Sequence, residues 1–215
     1  FPLYFTRLTW SFSCGKFEIV KRYVDFLKLV HGTVIQSGEL PSAKQTFLKQ
    51  LAAIAEYVGD GRCARLRALL EELPEVRNAV HGDFQMKNVM LLDGEPTLID
   101  MDTLSAGLPL FDLQGLYVAY VAFREDEADN TEKFLGISGE VADYIWRTAL
   151  EYYFNGKDRA ALKDIEDKIR VVAYIRFLYI LTTSSHKENG LFPVRLEHTI
   201  RNLDELLARV RTLCI

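Results

Sequence analysis

The stretch HGDFQMKNVMLLDGEPTLID, residues 81–100, contains the clearest structural signal in the sequence. Two short apolar runs flank Asp93-Gly94, and an Asp-Gly pair in that setting is the strongest short-range indication of a β-hairpin. Pro96 has no backbone N–H, so we expect the second strand to have one edge without a neighbouring strand. A polar segment, residues 81–88, leads directly into this hairpin.

The register of the hairpin brings together polar residues that are separate in sequence. With the Asp-Gly pair as a two-residue turn, Asn88 lies opposite Ile99 and next to Asp100, because opposed residues of antiparallel strands are about 4.5–5.5 Å apart. Asp83 precedes Asn88 in the loop. Carboxylate and amide oxygens suit Mg²⁺, and a further carboxylate beside them can accept a proton from an attacking hydroxyl. Zinc fits poorly, since only one histidine and no cysteine lie nearby.

Most of the remaining sequence has helical periodicity, so the predicted fold class is mainly α with a small β-hairpin. Ser42 and Gln45 form a capping-box pattern at the start of one helix. Residues 1–15 match no pattern and stay unassigned. The predicted helices run from about 16 to 31, from Ser42, from 61 to 73, around 113–123, after Ser138, from 158 to 184, and over 196–210.

Composition excludes several classes of partner. The net charge is −4 and no basic stripe occurs, so nothing indicates a nucleic-acid partner. Three cysteines without metal-type spacing favour free thiols in a reducing, cytoplasmic setting. The longest apolar run, 171–182, is too short to cross a membrane and contains Arg176. For Arg176 a structural ion pair is the first expectation and contact with a substrate the second. The acidic stretch 124–133 is predicted to be a solvated loop.

Three segments carry a resemblance to a known family. HGDFQMKN resembles the catalytic loop of the aminoglycoside phosphotransferase and choline kinase-like families, whose pattern is H-G/N-D, four residues, then Asn. LIDMD is similar to their I-D-x-D/E metal-binding segment, and LSAGLPLFDL to the G-x-P-x-x-D-L stretch that follows. The segments occur over residues 81–113 in the order and spacing of the family. The flanking helices are compatible with the C-terminal lobe of this protein-kinase-like α+β fold.

The resemblance implies a role for each matching residue. Asp83 would be the catalytic base, with Gln85 placed to touch the transferred phosphate and His81 bracing the loop. Asn88 and Asp100 would bind the Mg²⁺ of Mg-ATP. The other roles complete the set: Asp102 as a second metal contact or a helper of the loop, Asp112 as the buried support of the catalytic loop, and Lys87 as a solvent-facing lysine or a phosphate contact.

The resemblance also implies an N-terminal β-rich lobe with a phosphate-covering loop and an ATP-gripping lysine, and neither can be assigned. No G-x-G-x-x-G occurs, and the residues before the catalytic loop are mostly helical in pattern. We therefore expect residues 16–215 to form the helical C-terminal lobe, with the catalytic loop and hairpin over 81–102. The N-terminal β lobe is expected to be absent, and the start at Phe1 suggests a truncated chain.

The expected function is transfer of phosphate from ATP, with Mg²⁺, to a hydroxyl of a small molecule. A non-catalytic kinase-like binding or regulatory module and a Mg²⁺-dependent phosphohydrolase remain the alternatives. Acidic residues in the C-terminal helices and over 124–133 suit a cationic acceptor such as an aminoglycoside or choline, although a solvated surface explains them equally well. The oligomeric state cannot be predicted from the sequence.

Overall fold

The computed structural model describes residues 6–7, 15–36, 38 and 40–215. It is 67% helical with two small sheets, which confirms the mainly α prediction. Residues 1–5 and 8–14, including Cys14, lie outside the described part. The helices are α1 Lys16–Gly32, α2 Ala43–Ala53, α3 Ala55–Val58, α4 Asp60–Glu71, α5 Leu110–Tyr120, α6 Asn130–Leu135, α7 Gly139–Tyr153, α8 Arg159–Thr183 and α9 Phe192–Arg209.

The helix starts follow local chemistry. Ser42 caps α2 by accepting a hydrogen bond from the backbone N–H of Gln45 at 3.2 Å, and the hydroxyl of Ser138 does the same for α7. The reciprocal half of the capping box is not formed, because the side chain of Gln45 donates to Glu75 instead. Asp158 caps α8. Each capping oxygen accepts a hydrogen bond from a backbone N–H group that has no partner within the first turn of the helix.

The predicted hairpin forms in the predicted register. Strand β3, Val89–Leu92, pairs with β4, Glu95–Leu98, so that Val89 faces Leu98 and Leu92 faces Glu95. Asp93 and Gly94 have φ values of 52° and 85°, as a type I′ turn requires. Within the described residues β4 forms an edge of the sheet, as its proline predicted.

A short strand from the unassigned N-terminal segment completes this sheet. Strand β1, Thr6–Arg7, pairs antiparallel with β3, with Thr6 opposite Leu91 and Arg7 opposite Met90. The sequence indicated no strand there, because two residues are too few to show an alternating pattern. Strand β3 of the hairpin is therefore the central strand of a three-stranded sheet.

A second sheet of two short strands fixes both ends of the polar loop. Strand β2, Ala79–Val80, ends immediately before His81, and it pairs antiparallel with β5, Ser105–Ala106. The 3₁₀ turns Met86–Asn88 and Met101–Thr103 lie between these two strands along the chain. The segment 81–104 is thus closed at its base by backbone hydrogen bonds.

Helix α5 lies at the centre of the helical body and packs along α8. Nearly all of its residues are buried, including the polar Asp112 and Gln114. A helix that is apolar on most faces is expected to be covered on all sides. Polar side chains on such a helix need partners inside the protein, and one of them, Asp112, supports the loop described below.

The prediction of a solvated loop over 124–133 is wrong. The segment contains a 3₁₀ turn, Ala122–Glu125, and the start of α6. Glu125 accepts hydrogen bonds from the hydroxyls of Tyr117 at 2.6 Å and Tyr174 at 2.8 Å. Glu127 pairs with the buried Arg195 at 2.6 Å. Buried donors on α5, α8 and α9 bind these carboxylates, which is why the segment is ordered against the body.

Two further expectations concern cysteines and membranes. Cys63 and Cys214 are free thiols, in line with the expectation for the described cysteines. Among the helices of the described part, none combines the length and apolar character needed to cross a bilayer.

Candidate active site

The polar loop gathers Asp83, Gln85 and Asn88 around one carboxylate. The amide nitrogen of Asn88 donates to Oδ2 of Asp83 at 3.0 Å and to its backbone carbonyl at 2.9 Å. The amide nitrogen of Gln85 donates to the same Oδ2 at 3.2 Å. The 3₁₀ turn Met86–Asn88 brings Asn88 back over the loop. No described donor bonds to the other carboxylate oxygen, Oδ1, so this atom is available to a hydroxyl.

His81 joins the loop to the end of β4. Its ring is fully buried, and Nε2 lies 3.0 Å from the carbonyl oxygen of Ile99. Because a carbonyl only accepts, Nε2 carries the proton, and Nδ1 accepts from the backbone N–H of Asp83 at 3.3 Å. The ring thereby links Asp83 to the residue that precedes Asp100.

Asp112 supports the loop from below. Its carboxylate is fully buried and accepts from the backbone N–H groups of His81 at 2.8 Å and Gly82 at 2.5 Å. A third contact, 3.0 Å long, comes from Nε2 of His31, whose Nδ1 lies 2.7 Å from the hydroxyl of Tyr153. Burial raises the pKa of Tyr153, so this hydroxyl stays protonated.

The sequence did not indicate the contribution of His31, which lies at the end of the helix predicted from about 16 to 31. A histidine on the buried face of a helix is itself a signal, because a buried polar group needs a partner. Its partner, Asp112, is far away in sequence, so the pair could be identified only from the packed structure.

Gly82 allows the turn after β4 to approach the loop closely. It has a φ of 84°, and a Cβ atom on it would lie 2.7 Å from the backbone oxygen of Thr103. The hydroxyl of Thr103 donates to the carbonyl of His81 at 2.7 Å. Only glycine satisfies both the positive φ and the short distance. The turn that follows Asp100 is therefore held against the start of the polar loop.

Asp100 and Asp102 lie on the exposed side of this turn. Asp100 has a left-handed backbone with φ 59° and ψ 59°, a conformation that is sparsely populated outside glycine and is often found at functional sites. Neither carboxylate forms a hydrogen bond or ion pair with a described residue. The register places Asp100 next to the residue paired with Asn88, since Ile99 donates to the Asn88 carbonyl at 3.0 Å.

The side-chain oxygens of Asn88 and Asp100 are of the type that a hard cation binds. The side-chain oxygen of Asn88 receives no hydrogen bond from a described group, because its amide nitrogen is turned toward Asp83. With the exposed carboxylate of Asp100 it offers oxygen ligands only, as Mg²⁺ prefers. Among the described residues no group of three or more His, Cys, Asp or Glu side chains could hold a metal by itself. The protein would therefore share the cation with phosphate oxygens and water.

A cavity of about 250 Å³ adjoins Asp83 on the side of α5 and α8. Gly82, Gln85 and Arg176 are among its lining residues. The expected structural ion pair of Arg176 is not formed with any described residue. The ion pair is not formed because Arg176 faces the cavity instead of a neighbouring helix. Lys87 is only partly exposed, and its ammonium lies 3.8 Å from the ring centroid of Phe134.

Known proteins resemble this chain in sequence and in fold. The sequence model of the phosphotransferase enzyme family, APH, matches residues 17–150. No curated protein matches the sequence. The crystal structure of a choline/ethanolamine kinase family protein from Mesorhizobium loti superposes with a TM-score of 0.53 at 15% identity, over 91% of this chain and 64% of that one. The crystal structure of an ADP-bound aminoglycoside phosphotransferase, APH(2'')-Ib, superposes with a TM-score of 0.48 at 18% identity. The match covers 90% of this chain and 65% of that one.

These likenesses differ in what they establish. The match to the Mesorhizobium loti protein shows a shared fold, and the chain spans slightly less than two thirds of the length of either solved structure. The family match covers more than half of the chain and includes the catalytic-loop segment, the hairpin and Asp112. The chain belongs to the APH family of phosphotransferase enzymes.

Proposed function

We propose that this protein transfers the γ-phosphoryl group of ATP, with Mg²⁺, to a hydroxyl of a small molecule. The observation that carries the proposal is the Asp83 carboxylate, held on one oxygen by Asn88 and Gln85 and open on the other beside a cavity. Family membership supports phosphotransfer in general, while the nucleotide, the cation and the acceptor belong to the proposal.

The residues divide the chemistry between them. Asp83 would accept the proton of the acceptor hydroxyl as its oxygen bonds to phosphorus. Asn88 and Asp100, with Asp102 as a further contact, would hold the cation, which when bound neutralises charge on the phosphates. His81 and Asp112 would keep the loop in register with Asp100. Gln85 fixes the orientation of Asp83, and contact with the transferred phosphate remains part of the proposal.

The lobe assignment is also a proposal. Residues 16–215 would form the helical lobe of a kinase-like fold, and the shared fold with the Mesorhizobium loti protein supports this. No residue of the described part is assigned as the lysine that grips ATP. A cytoplasmic location stays a prediction from the cysteine usage.

A charge-neutral variant tests the role of Asp83. We expect Asp83→Asn to lower the rate of phosphate transfer by about 100- to 10,000-fold, the usual contribution of a general base, while Mg-ATP affinity stays within about threefold. Asp93→Asn is the matched control, because it makes the same charge change on the exposed hairpin turn, where asparagine tolerates the positive φ of 52°. This control should keep the wild-type rate.

Other outcomes distinguish the alternatives. A large loss of nucleotide affinity in Asp83→Asn would mean that the base has been misassigned. Release of inorganic phosphate from a phosphoester without any acceptor would favour a Mg²⁺-dependent phosphohydrolase. Absence of nucleotide binding at millimolar concentration, with or without Mg²⁺, would favour a non-catalytic binding module.

A further inference from the structure

The cavity beside Asp83 lies on the acceptor side of the proposed reaction. Its lining residues include Asp83 and Gln85 but neither Asn88 nor Asp100, the residues proposed to hold Mg-ATP. Its volume of about 250 Å³ corresponds to roughly eight water molecules, at about 30 Å³ each. This is below the usual range for drug-sized ligands, so the cavity fits a small acceptor.

Arg176 is a cation in this cavity without a protein partner. It lies on α8, is partly buried, and forms no hydrogen bond or ion pair with a described residue. By contrast, Arg195 pairs with Glu127 and Arg124 pairs with Asp143, both at 2.6 Å. Burial lowers the pKa of Arg176, and the charge of the Asp83 carboxylate opposes this without direct contact.

The charges that face the cavity do not favour a cationic ligand. Asp83 and Arg176 are the charged residues of its described lining, and Asp83 is committed to the reacting hydroxyl. His186 also lines the cavity, and burial lowers its pKa, so that it is neutral at pH 7. Two acidic residues of the segment 124–133 are bound elsewhere, since Glu125 bonds to Tyr174 and Glu127 to Arg195.

Two buried amide oxygens also lack partners in the cavity wall. The amide nitrogen of Gln85 must face Asp83, because only nitrogen can donate to a carboxylate, and that of Gln114 must face the carbonyl of Phe111 for the same reason. The side-chain oxygens of both residues are then buried without a hydrogen bond to any group of the described part. Gln114 is fully buried and Gln85 nearly so. Such acceptors indicate a ligand with N–H or O–H donors.

We propose that the acceptor is a small hydroxy-carboxylate whose carboxylate pairs with Arg176 and whose further hydroxyl or amine donates to Gln85 and Gln114. This inference rests on the proposed function and specifies its acceptor. In the reaction the acceptor oxygen bonds to the γ-phosphorus, the bond from that phosphorus to the β,γ-bridging oxygen breaks, and ADP leaves. The hydroxyl proton passes to Asp83.

Matched acceptor pairs test the proposal. Glycerate is compared with glycerol, and serine with ethanolamine, because the members of each pair differ in the carboxylate. A guanidinium–carboxylate contact predicts roughly a 10- to 100-fold higher kcat/KM for at least one carboxylate of these pairs. Arg176→Gln should reduce this ratio toward one, and Arg176→Lys should restore part of it. Arg159→Gln removes the same charge at the exposed start of α8 and should leave the ratio unchanged.

A binding measurement without nucleotide separates this inference from the proposed function. Calorimetric titration of the full chain with glycerate and with serine should show affinity for one of them that falls about tenfold or more in Arg176→Gln. Carboxylate binding of this kind without any phosphate transfer would contradict the proposed function and support the carboxylate site at Arg176. Transfer with no carboxylate preference in either pair would overturn the carboxylate site and keep the proposed function. Loss of ADP affinity in Arg176→Gln, with carboxylate binding intact, would assign the arginine to nucleotide phosphate and overturn the inference.

Discussion

Replacing Asp112 by alanine removes the carboxylate that accepts hydrogen bonds from the backbone of the polar loop 81–88. Three donors point at this buried carboxylate, the backbone N–H groups of His81 and Gly82 and the ring of His31. His31 can shift its proton to the nitrogen that faces Tyr153, but the backbone N–H groups of His81 and Gly82 bond to no other acceptor among the described residues. A buried donor that loses a charged acceptor costs about 1.5–3 kcal/mol. We therefore expect a loss of about 3–6 kcal/mol in the free energy of unfolding.

Urea unfolding of both proteins measures this loss, and an exposed aspartate provides the control. Asp204 accepts two hydrogen bonds from Arg62, at 2.6 and 2.7 Å, but its side chain is 53% exposed. Water can replace these bonds, so Asp204→Ala should cost less than about 1 kcal/mol. Amide hydrogen exchange adds a local readout, because the N–H groups of His81 and Gly82 should lose protection in Asp112→Ala.

A small loss of stability in Asp112→Ala would contradict this prediction. If Asp112→Ala costs less than about 1 kcal/mol, or no more than Asp204→Ala, the loop does not depend on the buried carboxylate. Unchanged exchange at His81 and Gly82 would lead to the same conclusion even if the global stability falls.

Two further predictions concern the loop and the acidic segment. In urea unfolding, Gly82→Ala should lower the free energy of unfolding by at least about 1 kcal/mol more than Gly94→Ala. Both glycines have a φ near 85°, but only at Gly82 would a Cβ atom lie 2.7 Å from the Thr103 carbonyl oxygen. Equal losses would exclude this close approach. A hydrogen bond from Lys133 is the main reason that the pKa of Glu127 falls to about 2. The ionised carboxylate therefore stabilises the fold fully above about pH 4.3, the usual pKa of glutamate, and this stabilisation is lost as the pH falls toward 2. The stability difference between wild type and Glu127→Gln should therefore shrink over that range, and a difference independent of pH would contradict the assignment.

The features that the sequence predicted are local ones. The Asp-Gly turn at 93–94 determines the hairpin register through chemistry within a few residues, and the structure has that register. The helix caps at Ser42 and Ser138 are equally local. The proximity of Asp83 and Asn88 follows from the loop length, so the centre of the candidate site could be derived before any packing was known.

The features that the sequence did not predict depend on tertiary packing. His31 and Asp112 are on different helices, and nothing in either segment indicates the other. Arg176 lies on a largely apolar helix face, where a structural ion pair was the simpler expectation, and its cavity is formed by residues from several segments. The carboxylate of Glu127 was assigned to water because the buried Arg195 that binds it is remote in sequence.

Phosphorus NMR of the full chain with Mg-ATP and the four paired acceptors tests the central claim most directly. We predict that ADP and a new phosphomonoester resonance appear together, in equal amounts, and that neither appears with Asp83→Asn. Inorganic phosphate without a phosphomonoester, or ATP left unchanged by the wild-type chain, would contradict it.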